Sequence, residues 1–211
     1  MVTQSVTYYG SRILNRADIS WINNMIVGMG VKHLSFFVYC VRANTGSEVW
    51  LDNSAFLTKD GVRNDLYYYY QAQIHEMNAF APIISCFTYE WVHLYKYTWS
   101  SSSAGLYSQA TSSSYYSSSS SYGELSGVST NKDWTLATGL KNPSDGKYMY
   151  MVQNIYNNFD NEALQKVTLT FNQNYEYAVI YEAGLPRVVT MNAKKLELQL
   201  SAGHAAYIMV F

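Results

Sequence analysis

Apolar and polar positions alternate along this chain in two different rhythms, and the change of rhythm falls near its middle. In residues 1–97, short apolar runs alternate with helical periodicity, the pattern of strand-helix units. Residues 2–9 read as a buried strand that stops at Gly10. Ile19, Ile22, Met25, Ile26 and Met29 then recur at helical spacing, with Asn15 or Asp18 available to cap the helix and Gly28 and Gly30 to end it. Residues 33–40 form a second run, continuously apolar through Leu34, Phe36, Phe37, Val38 and Tyr39, as expected of a strand covered on both faces. A second helix is expected from Asp65 to Ala81, with Leu66, Tyr70, Ile74 and Met77 on one stripe and Pro82 ending it. Residues 83–97 read as a further apolar and aromatic run, extended in conformation.

From about residue 131 the period falls to two. Strands are expected at 148–154, 166–171, 175–182, 187–191, 196–200 and 206–211, separated by turn residues such as Pro143 to Gly146, Ala183-Gly184 and Ala202-Gly203. Short strands at this spacing point to an antiparallel β-sandwich. Between the two regimes, residues 98–130 are rich in Ser and Tyr and read as a linker or a surface loop, with Tyr107, Tyr115, Tyr116 and Tyr122 as an alternative edge strand or sugar-contacting face.

Composition narrows the partners. The net charge of -1 and the 14% of charged residues leave no basic face, so neither nucleic acid nor an anionic membrane is an expected partner. No run is long enough to span a bilayer, and no signal-peptide pattern opens the sequence. The 21 tyrosines suit sugar rings as well as an ordinary core. Cys40 and Cys86 lack metal-ligand spacing and sit in apolar runs, so buried free thiols are expected, with no metal and no cofactor.

The order of the segments resembles the carboxy-terminal part of the family 42-type, β-galactosidase-like glycoside hydrolases. Three stretches carry the resemblance: the helix and strand of residues 19–39, the loop and helix of 59–67 and 74–82, and the sandwich segments 147–154, 166–171 and 198–208. The resemblance implies an α/β + β chain: an incomplete TIM-type (β/α) barrel, its last two βα units at 1–97, an insert at 98–130, and a sandwich at 131–211. Residues 1–9 would take the place of the seventh barrel strand and 33–40 that of the eighth. A retaining glycosidase needs two carboxylates about 5–5.5 Å apart. In the resembled family these end the fourth and seventh strands. The fourth has no counterpart here, and residues 1–9 contain neither Asp nor Glu. The chain is therefore expected to be a glycoside-hydrolase fragment without turnover, or alternatively a non-catalytic carbohydrate-binding or structural module.

No catalytic residue is expected, then, and the candidate substrate contacts are Gln4, Tyr39 and Trp50. Gln4 is the long polar side chain of the first strand, and equally suits a buried amide. Tyr39 closes the second strand, where barrel residues meet substrate. Trp50 is an aromatic in a polar loop. His75 and Glu76 are adjacent on a helix and so do not share a face. Glu90-Trp91 reads as a domain-junction pair, and His204 as a surface turn residue. The expected partner is a β-galactoside-like oligosaccharide. Lone barrel strands would expose apolar edges, which implies a homo-oligomer or a missing upstream barrel half.

Overall fold

The computed structural model describes residues 2–4, 15–37, 56–58, 60–95, 123–131, 134–155 and 164–211. Its centre is a pair of antiparallel sheets. The larger has six strands: β3 (Thr88–Tyr95), β5 (Thr135–Lys141), β6 (Tyr148–Asn154), β11 (Ala205–Val210), β8 (Tyr177–Glu182) and β9 (Leu185–Thr190), side by side in that order. The smaller sets β10 (Lys195–Leu200), β7 (Gln165–Phe171) and β4 (Leu125–Thr130) side by side.

Period-two alternation explains how they pack. Leu196, Leu198 and Leu200 of β10 are buried while Glu197 and Gln199 face water. They meet Val167, Leu169 and Phe171 of β7 and, across the sandwich, Trp91, Tyr150, Val152, Ile180 and Ile208. Burying a side chain of this size contributes about 1.5–3 kcal/mol.

The six-stranded sheet is apolar on its other face as well, and helices α1 (Arg16–Gly28) and α2 (Asp65–Ile84) cover it. Asn15 caps α1 by accepting from the Asp18 N–H, and the Asp18 carboxylate accepts from the Asn15 N–H in return. Gly28 lets α1 approach the sheet: a Cβ there would lie 2.1 Å from Met151 Cε. A buried polar seam fixes the helix in place. Ser20 Oγ donates to the Gly203 carbonyl at 3.1 Å, Tyr207 donates to the Asn24 carbonyl at 3.3 Å, and Gln153 Nε2 donates to the Trp21 and Gly203 carbonyls.

These packings correct the barrel reading. Strands β1 (Val2–Gln4) and β2 (Ser35–Phe37) do pair in parallel across α1, but they form a two-stranded sheet of their own. The strand after α2 does not extend that sheet. β3 runs antiparallel to β5 inside the sandwich, so among the described residues no strand-helix repeat follows the first. The chain is mainly β and sandwich-like. Among the described residues, the apolar positions of α1 and α2 cover the sandwich and those of β3 lie within it, and one-dimensional periodicity does not say which sheet a strand joins.

Two smaller expectations also change. Pro82 does not end α2, which runs to Ile84. A proline so near the end removes one donor from the last turn, and its fixed φ suits the helix. Cys86 is a free thiol as expected, but an exposed one. Cys40 lies outside the described residues.

The edge of the large sheet is shaped by its last hairpin. Tyr177 both donates to and accepts from Phe211, so the backbone groups of residues 178, 180 and 182 face β9. Their partners are Val189, Arg187 and Leu185, which leaves the backbone of Pro186 and Val188 facing outward. The turn itself is Ala183-Gly184, both at positive φ (51° and 75°), the geometry of a two-residue hairpin.

Candidate functional site

Two β-bulges, one in each sheet, bring a group of charged and phenolic side chains to one end of the sandwich. In β3 the register slips: Tyr89 pairs with Leu140 and Trp91 with Gly139, so Glu90 is the extra residue. The slip turns Trp91 into the core, where it is fully buried. Glu90 lies beside Lys141, with Lys141 Nζ 3.7 Å from Glu90 Oε1. Lys141 and Tyr148 are direct cross-strand partners, and the ammonium lies 5.3 Å from the centre of the Tyr148 ring. Glu90 lies close enough to act on the Tyr148 phenol.

The second bulge lies in β4, where Leu125 pairs with Phe171 and Gly127 with Thr170. Its extra residue, Ser126, donates to the Thr170 carbonyl at 3.0 Å. Immediately before it, the Glu124 carboxylate accepts from the Tyr150 hydroxyl at 2.5 Å, and that hydroxyl accepts from the Glu124 N–H at 2.8 Å. Tyr148 and Tyr150, two apart on one strand, share a face. Their rings stack at 5.7 Å and 8°. Gly123, at φ 64°, closes the group: a Cβ there would stand 2.7 Å from the Tyr150 oxygen and 2.8 Å from the Tyr148 ring.

Electrostatics follow from this geometry. Burial, the hydrogen bond and charge of Glu90, and the charge of Glu124 push the Tyr148 phenol up to about 12. Tyr150 is pushed up as well, by burial first and by Glu124 second. Both phenols therefore stay protonated at ordinary pH, and Tyr150 donates to the Glu124 carboxylate. Lys141, Glu90 and Tyr148 are partly open to solvent, whereas Tyr150 is buried beneath them. Such a ledge offers carboxylate acceptors, an ammonium donor and a ring edge together.

The residues singled out from sequence are placed differently. Gln4 lies in β1, its backbone opposite Phe37. Tyr39, Trp50 and the tyrosines of the Ser/Tyr-rich stretch lie outside the described residues. Glu76 pairs with Arg16 at 3.2 Å and Glu182 with Arg187 at 3.3 Å, both at the surface, where such pairs contribute about 0–1 kcal/mol. His75 is exposed, and His204 is half-buried at the foot of α1 and α2. Sequence reasoning set Glu90 aside and missed Glu124, Lys141, Tyr148 and Tyr150. The available signal was the hairpin through Pro143 to Gly146, which makes Lys141 and Tyr148 neighbours.

Among the described residues no group of three or more His, Cys, Asp or Glu is placed to hold a metal. No described helix is long and apolar enough to cross a membrane. No family model matches the chain, and no curated protein or solved structure matches it either.

Proposed function

We propose that this chain is a non-catalytic carbohydrate-binding module of glycoside-hydrolase descent, with β-galactoside-like oligosaccharides as its ligands. The ledge of Glu90, Lys141 and Tyr148 over Glu124 and Tyr150 carries the reading. Sugar hydroxyls both donate and accept, and hydrogen bonds to charged groups contribute about 1.5–3 kcal/mol each. Fixed carboxylate and ammonium groups beside an aromatic edge meet that need.

Binding is favoured over hydrolysis for a chemical reason. A retaining glycosidase requires one carboxylic acid that gives up its proton and one free carboxylate that attacks. Glu124 is already held by the Tyr150 phenol, which keeps its own proton, and Glu90 is paired with Lys141. The resemblance to β-galactosidase-like enzymes supplies the ligand class.

Calorimetric titration of the purified chain with lactose and a galactobiose tests this. Saturable binding that Glu90→Gln or Tyr148→Ala weakens about tenfold is the expected result. Binding that neither substitution alters, or no binding to any glycan on a broad array, would refute the assignment. Hydrolysis of an aryl β-galactoside by the pure chain, absent from a mock preparation, would overturn the non-catalytic part.

A further inference from the structure

On the opposite face of the large sheet, the segment after α1 and the second half of α2 stand apart and leave a cavity of about 350 Å³ between them. That is within the range of small-molecule sites, about 300–1,000 Å³. Its wall is aliphatic and aromatic. Val27 of α1, Leu34 from the following segment, and Met77, Phe80 and Ile84 of α2 line it. Val27, Phe80 and Ile84 also belong to the helix-sheet core, so the floor of the cavity is fixed by packing already present in the fold.

One cation stands at the rim. Lys32 Nζ donates to the Ile84 carbonyl, the end of α2, at 2.6 Å. A carbonyl is a partial partner for a full charge, and the described ion pairs of the protein engage Arg16, Lys141 and Arg187 instead. Burial of the Lys32 stem lowers the ammonium pKa, opposed in part by the charge of Cys86, and no ion pair among the described residues joins Lys32 to a carboxylate. An apolar slot with an under-compensated cation at its mouth matches one kind of molecule, a short amphiphile with an anionic head.

We infer that the cleft between Lys32 and α2 is a binding site for a medium-chain carboxylate, its chain against Val27, Met77 and Phe80 and its head on the Lys32 ammonium. The carboxylate would complete the pairing that the Ile84 carbonyl begins, while the chain would cover apolar wall now open to solvent. This site is separate from the sugar-binding ledge and does not depend on it.

The test is a titration of the full chain with decanoate and, in parallel, with decan-1-ol, followed by amide chemical shifts. Decanoate is expected to saturate and to bind at least about tenfold more tightly than the alcohol, since each 1.4 kcal/mol is a factor of ten. Lys32→Met should erase that advantage and leave the weaker, shared apolar affinity. Ala81→Phe, a half-buried helix position on the cavity wall, should fill the cleft and remove binding of both. Equal affinity for acid and alcohol would overturn the site. So would an undiminished preference in Lys32→Met, or shifts that do not saturate.

Discussion

Trp91 lies across the backbone of Gly139, its direct partner on the neighbouring strand. A Cβ built on Gly139 would stand 2.1 Å from the indole Nε1 and 2.3 Å from Cε2. The indole is fully buried, so it has no free space to retreat into.

Gly139→Ala should therefore destabilise the sandwich by at least about 1–3 kcal/mol, the range for forced overpacking. Urea denaturation followed by Trp fluorescence would measure it. A loss below about 0.5 kcal/mol would mean that the bulge at Glu90 relaxes and lets the indole move.

The opposite sign is expected at Asn23. It is fully buried on α1, and among the described residues neither atom of its amide has a hydrogen-bond partner. An unsatisfied buried polar group costs about 1–3 kcal/mol. Asn23→Leu, with the same number of side-chain heavy atoms and a better helix former, should raise the urea midpoint with an unchanged slope. A lower midpoint would contradict the isolated position of the amide.

Alkaline pH should unfold the protein through its tyrosines. Burial pushes Tyr70 up to about 12, and Tyr148 is held at about 12 by burial and its two glutamates. An unfolded tyrosine titrates near 10. Below that pH both states keep the proton and the contribution is intact. Between about 10 and 12 the unfolded chain ionises first, so stability falls as pH rises. Tyr150 and Tyr207, also raised, extend the loss in the same direction. Urea midpoints above pH 10, with phenolate absorbance alongside, would show it. A flat profile across that window would refute the shifts.

Pro186 is expected to keep the protein from pairing edge to edge. β9 carries Leu185 and Val188 at 72% and 70% exposure, and it stands at the rim of the large sheet. Its outward backbone at residue 186 has no N–H to offer, a known device for blunting an edge. Pro186→Thr restores the donor beside two exposed aliphatics. Light scattering should then report concentration-dependent self-association stronger than that of the parent chain. An unchanged mass across concentrations would mean that side chains, not the missing donor, protect the edge.

The second half of the fold was readable because each strand there has one wet face. Residues 148–154 coincide with β6, and the expected strands for β7, β8 and β10 agree with the observed ones to within two residues. β4 was hidden inside the Ser/Tyr-rich stretch, since its Leu125 to Thr130 run is small and polar and its pairing with β7 is what makes it a strand. The first half was misassigned for a related reason. Buried helices and buried strands look alike whether they cover a barrel or a sandwich, and the partner of β3 lies forty or more residues further on. The ledge was illegible because it rests on two register slips. A bulge is a property of two strands together, and neither Glu90 nor Glu124 carries a mark of it alone.

The seam that holds α1 joins residues far apart in sequence: Ser20 to Gly203 and Asn24 to Tyr207 are each separated by 183 positions. A thirteen-residue helix is marginal by itself in water. On a ribosome adding about 5–20 residues per second, α1 would wait on the order of 10–35 s for the strand it grips. Throughout that interval Ile26 and Val27, which end in the core, have no sheet to cover them. Yield in the cell should thus depend on translation speed and on holdase capacity more than on the equilibrium strength of the finished sandwich.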